Sequence, residues 1–188
     1  MLQASHVLLI WSNVTSGRER EFLDWYEGAY RRELLAHESV VALQHYERHE
    51  IDVTAGMYPP VPFRYLGVCW LSIDGGQAAA PLLERIASLH DKEASVSGGA
   101  TWLYYPVSEK LGRSAHEQPA TLLLALANAL PRCEAEFQEW YSTRHLRHAL
   151  VIPEIVSGQC IRRSSFQIPG ALDVGFDTVA IYELEGSV

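Results

Sequence analysis

The feature that most constrains this chain is an internal repeat. The stretch Glu136-Phe137-Gln138-Glu139-Trp140-Tyr141-Ser142-Thr143-Arg144-His145 has an earlier counterpart, Glu21-Phe22-Leu23-Asp24-Trp25-Tyr26-Glu27-Gly28-Ala29-Tyr30. Phe22, Trp25 and Tyr26 fall on Phe137, Trp140 and Tyr141 at one offset of 115 residues (137 − 22). Six aromatic residues in register argue that one structural unit is built twice. The copies part company at their ends, where the second reads Arg144-His145 and the first Ala29-Tyr30.

The flanking sequence extends the repeat. His6–Val14 is apolar and bounded by turn residues, which predicts a strand. Ser16, with Glu19 three residues on, predicts a capping box opening a helix that runs to about Ala36. Phe22, Trp25, Tyr26, Ala29 and Tyr30 form its apolar stripe. Strands are expected over Ser39–Glu50, Phe63–Ile73 and Ala100–Pro106, and a second helix over Gln77–Lys92. The order β-α-β-β-α-β is the ferredoxin-like arrangement. The polar stretch Ser108–Pro119 reads as a linker. The pattern then restarts with Thr121–Asn128, a helix over Pro131–Leu150, and strands over Ile155–Ser165 and Thr178–Leu184. The expected organisation is a first repeat over 1–108, a linker over 109–119 and an incomplete second repeat over 120–188, lacking the last helix and strand. The fold class is therefore α+β, two tandem ferredoxin-like repeats.

Charge and composition narrow the functions. A net charge of −8 and a pI near 5.4 argue against binding a phosphate backbone, which needs clustered Lys and Arg. No apolar run approaches the ~20 residues that span a bilayer, and the N-terminus lacks the basic start of a signal peptide. The expectation is a cytoplasmic protein with no nucleic-acid or membrane partner. Cys69, Cys133 and Cys160 are scattered and odd in number, which suits buried or partly buried thiols.

Phe137, Trp140, Tyr141 and His145, followed by Leu150-Val151-Ile152-Pro153-Glu154-Ile155-Val156, resemble the dimeric α+β barrel superfamily, with EthD-like proteins nearest. The likeness covers nearly the whole chain as two copies. It implies that the repeats form an α+β barrel and that the ligand is a small hydrophobic or aromatic molecule. The incomplete second copy leaves that barrel one strand short, and an uncovered edge strand invites association, so a homodimer is expected. It also implies chemistry without a cofactor, haem being the alternative. The superfamily spans isomerases, cyclases, lyases and monooxygenases, so the fold alone does not choose the reaction.

The candidate residues follow from the stripe on the second helix. It runs Phe137, Trp140, Tyr141, Arg144, His145, His148, apolar at first and ionisable toward its end. His145 is the natural general acid or base, since an imidazole titrates near neutrality. Arg144 can stabilise developing negative charge, or pair with Glu139 on the surface. Tyr30, at the repeat position of His145, is expected to face it and donate a hydrogen bond. Trp25, Tyr26, Trp140, Tyr141 and His148 are candidate substrate contacts, with core packing as the competing reading of the aromatic four. The repeat-matched Asn13, Asn128, Gln44 and Gln159 either line a polar pocket or satisfy backbone groups at strand ends. His145 and His148 share a helical face, but no third metal ligand is evident, so no metal is expected. His45 and His49 read as an exposed strand end, and Tyr58–Pro62 as a lid or a dimer contact.

The expected activity is cofactor-independent isomerisation, cyclisation or lyase chemistry on an aromatic or cyclic carbonyl compound. The competing expectations are cofactor-free oxygenation of a dihydroxy-aromatic compound, and a non-catalytic binding or dimerisation module.

Overall fold

The computed structural model describes residues 4–51, 61–113, 121–167 and 176–185. The fold is α+β, and the described residues form eight strands that pair mostly antiparallel. The chain divides into two compact units. Unit 1 holds Met1–Leu103 with Phe166–Ala171, and unit 2 holds Tyr104–Ser165 with Leu172–Val188. The stretch expected as a linker contributes the short strand Leu111–Gly112, and 114–120 lie outside the described residues.

Unit 1 begins with β1 (His6–Val14), then α1 (Glu19–Trp25), a π-helical turn (Tyr26–Tyr30) and α2 (Arg31–Leu35). β2 (Val40–Glu47), β3 (Tyr65–Leu71), α3 (Ala80–Lys92) and β4 (Val96–Pro106) follow, and β4 passes into unit 2 after Leu103. The strands lie in the order β2-β3-β1-β4. The central pair is sequence-driven: β1 is buried from Val7 to Ser12 and β3 over nearly its whole length, so both read as continuous apolar runs. One face carries the core. Phe22, Tyr26, Tyr30 and Leu34 from the first helix meet Leu82, Leu83 and Ile86 from α3 over Leu8, Ile10, Leu43 and Cys69 of the sheet. Phe166, far along the chain, packs against this same core. Beside it the Gln167 amide takes both backbone groups of Leu103, accepting from its N–H at 3.0 Å and donating to its carbonyl at 2.7 Å. That side chain does what a neighbouring strand would do for an edge residue.

Unit 2 contains β5 (Leu111–Gly112), β6 (Thr121–Ala127), α4 (Glu134–Trp140), a second π-helical turn (Tyr141–His145), α5 (Leu146–Ala149), β7 (Ile155–Arg163) and β8 (Thr178–Leu184). Its strand order is β7-β8-β6, with β5 and the end of β4 on β7. The core is smaller: Tyr141 and Leu146 from the helix rest on Ile155, Cys160, Ala180 and Tyr182. Among the described residues, no second helix joins it.

The 115-residue offset carries into backbone detail. The π turns match at both ends (141 − 26 and 145 − 30). The register shift in β2 between Val40 and Ala42 is matched in β7 between Ile155 and Ser157. The turn before each helix holds one residue in the left-handed region, Gly17 at φ 81° and Arg132 at φ 71°. In each copy a glutamate two residues on accepts that residue's N–H, Glu19 from Gly17 and Glu134 from Arg132.

Those turns correct two expectations. The first helix begins at Glu19 behind Arg18, and Ser16 makes no capping bond; the Glu19 carboxylate reaches Gly17 instead. The second begins at Glu134, because Pro131 lies in the turn rather than in the first helical turn. β4 also starts at Val96, earlier than expected. Ser97-Gly98-Gly99 resembles a turn in sequence, yet Gly99 is needed in the strand: a Cβ there would stand 2.7 Å from the Trp11 carbonyl oxygen.

Candidate functional site

Each helix changes from α to π hydrogen bonding at the second aromatic of its Trp-Tyr pair. A π turn widens the helix by one residue per bond and re-aims the side chains it carries, and such turns recur at functional sites. In unit 2 hydroxyls of the turn bond back to the helix: Ser142 Oγ donates to the Gln138 carbonyl at 2.7 Å and Thr143 Oγ1 to the Glu139 carbonyl at 2.6 Å. The last residue of the turn is Tyr30 in one copy and His145 in the other.

These two positions have opposite environments. Tyr30 is fully buried. Its ring lies 4.5 Å from Trp25 and 5.5 Å from Tyr26, and its hydroxyl is 3.1 Å from His90 Nε2. Burial pushes its pKa well above the usual phenol value, so it stays a neutral O–H group. Its hydroxyl is thus engaged inside unit 1, by a residue of α3. His145 is half-buried and stacks on Trp140 at 4.7 Å, with Tyr141 set edgewise at 4.5 Å. Trp140 itself is 44% exposed. Partial burial, with a smaller contribution from His148, lowers the His145 pKa below 6.5. The imidazole is therefore largely neutral at pH 7, able to accept a proton and reachable from solvent.

Arg144 and His148 are exposed, and Arg144 forms no ion pair with Glu139 or with any other described residue. Tyr141 is core, its pKa raised by burial. In unit 1, Tyr26 is core as well, while Trp25 is partly buried against Tyr30 and His90. The matched asparagines serve the backbone. Asn13 Oδ1 accepts the Arg64 N–H at 2.9 Å and Asn128 Oδ1 the Asp177 N–H at 2.7 Å, each at the entry to the third strand of its copy. Gln159 donates to the Ser108 carbonyl at 3.2 Å, and Gln44 accepts from the Tyr46 hydroxyl at 2.7 Å. Residues 52–60, with most of the loop expected as a lid or dimer contact, lie outside the described residues, as does Pro169-Gly170. Among the described residues, no group of three or more His, Cys, Asp or Glu is placed to hold a metal ion.

Two histidines in unit 1 carry more than the sequence suggested. His45 is not an exposed strand-end residue: its side chain is only 4% exposed. It lies flat on Tyr26, ring centroids 3.8 Å apart, because Gly67 on the neighbouring strand leaves room for both rings. Burial lowers its pKa to about 4 despite Glu27 beside it. A neutral His45 donates from Nδ1 to the Glu27 carboxylate at 3.0 Å, which leaves Nε2 as a buried acceptor that, like the nearby Tyr26 hydroxyl, has no partner among the described residues. His90, near the end of α3, is also held neutral by burial, its pKa lowered to about 4. It borders a cavity of about 600 Å³ between the second half of α3 and the start of β4.

Sequence signals for both existed. His45 is two residues from buried Leu43, on the same strand face, and His90 follows Ile86 by four residues, on the same helical stripe. No protein-family model and no curated protein matches the chain.

Proposed function

We propose that the chain is a cofactor-independent enzyme that moves a proton on a small aromatic or cyclic carbonyl compound, with His145 as the base. The supporting architecture in this reading is a tandem pair of ferredoxin-like repeats of EthD-like type, forming an α+β barrel in a cytoplasmic homodimer. The observation that carries it is the solvent contact of a neutral imidazole packed on two aromatic rings, at a position where the other copy holds a fully buried tyrosine. Trp140 offers a flat apolar surface to a substrate ring. His145 takes the proton from the carbon beside the carbonyl, and the C–H electron pair moves to the carbonyl oxygen as an enolate. Arg144, one residue away and without an ion-pair partner among the described residues, stabilises that oxygen. In a β,γ-unsaturated substrate the enolate is a dienolate, and the imidazolium returns the proton to its γ carbon, shifting the double bond into conjugation, which is an isomerisation. Expulsion of a leaving group from the enolate gives the lyase outcome instead.

The test is deuterium exchange from heavy water into a panel of cyclic and aryl ketones. His145→Ala should slow exchange by about 10²–10⁴-fold. A wild-type rate in that variant would overturn the assignment. The acid limb of kcat/KM should lie below pH 6.5, because the His145 pKa is lowered and the active form is the unprotonated one.

A second reading rests on the same exposure. Trp140 (44% exposed), Val151 (78%) and Ile152 (51%) leave apolar surface at this end of unit 2, as a non-catalytic interaction module would. That reading expects Trp140→Ala to weaken self-association in sedimentation while His145→Ala changes no exchange rate.

A further inference from the structure

The cavity of unit 1 is separate in its residues from everything assigned above except His90. One wall is apolar, formed by Leu83, Ile86 and Val96. The β4 wall includes Gly98 and Gly99: a Cβ on Gly98 would meet nothing within 4 Å, and one on Gly99 would press on His90 Nδ1 at 3.1 Å. The charged residues lining the cavity are Asp91 and Glu93; Arg18, outside the lining, is near enough to Glu93 to interact with its charge, so Asp91 is the carboxylate with no such cation among the described residues. His90 adds no cation there, since it is neutral at pH 7. α3 ends at Lys92, so the partial negative charge of its last carbonyls falls at the same place. Glu93 Oε1 accepts from the Ser95 N–H at 3.0 Å and its hydroxyl at 2.7 Å, which orients the carboxylate. A space of this size is in the ordinary range for small-molecule sites, about 300–1,000 Å³.

We propose that this cavity binds a small primary amine, its ammonium beside Asp91 and Glu93 and its apolar body against Leu83, Ile86 and Val96. An anion of the same shape meets two carboxylates and a helix C-terminus, and is excluded. The site does not depend on the His145 reading and does not require catalysis.

Three isosteric probes test it on the full chain at pH 7.5: benzylamine, benzyl alcohol and benzoate, each followed by amide chemical shifts. Benzylamine should shift residues of 83–101 saturably and bind about fivefold more tightly than benzyl alcohol, the scale of one near-surface ion pair. Benzoate should leave those amides unmoved. Asp91→Asn, on an exposed residue, should bring benzylamine close to benzyl alcohol. Ala87→Trp, also on the exposed rim, should abolish both while the rest of the spectrum is retained. The proposal is overturned if benzylamine moves none of these amides, if benzoate binds as well as the amine, or if the Ala87→Trp protein binds unchanged.

Discussion

The two helices are nearly the same object placed in two settings. Each has seven α residues, a five-residue π turn and an aromatic stripe in the same register. In unit 1, α3 lies over that stripe, and Phe22 and Tyr30 are fully buried. In unit 2, Phe137 and His145 are only half-buried and Trp140 is exposed. The difference teaches that the aromatic motif specifies a docking mode of helix on sheet, not a degree of burial. A second helix decides burial, and burial decides which chemistry the last residue of the turn can perform. Under a cover, a tyrosine is locked to His90. Where no second helix lies over it among the described residues, a histidine stays in contact with solvent.

The sharpest way to break this comparison is stability. Tyr30→Ala should cost about 3–5 kcal/mol, the range for deleting a buried aromatic, and His145→Ala less than about 1 kcal/mol. Equal losses in denaturant unfolding would mean that the second site is covered in solution. pH dependence comes next. His45 and His90 have folded pKa values lowered to about 4 from 6.5, so between those pH values the unfolded chain binds more protons than the folded one. Their contribution to stability is complete above pH 6.5 and is lost as pH falls through that window, about 3 kcal/mol for each. His90→Gln and His45→Gln should each flatten the acid slope by roughly one proton, whereas His145→Gln should change it less. A smaller effect concerns the turns before the helices. Arg132→Gly relieves a left-handed arginine and Gly17→Arg creates one, so the first should stabilise and the second destabilise by about 1 kcal/mol or less. The smallest is optical: Trp140→Phe should remove more acrylamide-quenchable fluorescence than Trp25→Phe, since Trp140 is 44% exposed and Trp25 is partly buried.

Much of this was legible before the fold was known. The aromatic repeat, its 115-residue offset and the order of the strands and helices are all patterns of apolar spacing, which sequence displays directly. The π turns were not, because an aromatic stripe spaced at three and four residues reads as continuous α-helix whether or not one bond slips. The buried roles of His45 and His90 were missed for a different reason. Polar residues on an apolar face are discounted as exposed, although Leu43 and Ile86 fix the parity of their positions. The asparagines were ambiguous because one residue type suits both a polar pocket and a backbone partner. Only the positions of Arg64 and Asp177 decide, and those are non-local.

Gln167 has a consequence for how the protein is made. Leu103 waits 64 residues for the side chain that satisfies its backbone. At about 5–20 residues per second, a ribosome takes on the order of 3–13 s to deliver it. Throughout that interval every strand of the first unit has been synthesised, yet one edge of it is unfinished. The nascent chain must therefore hold an almost complete domain open at Leu103 until most of the second has emerged. A truncation ending near residue 103 should expose that edge permanently, however complete its list of strands and helices.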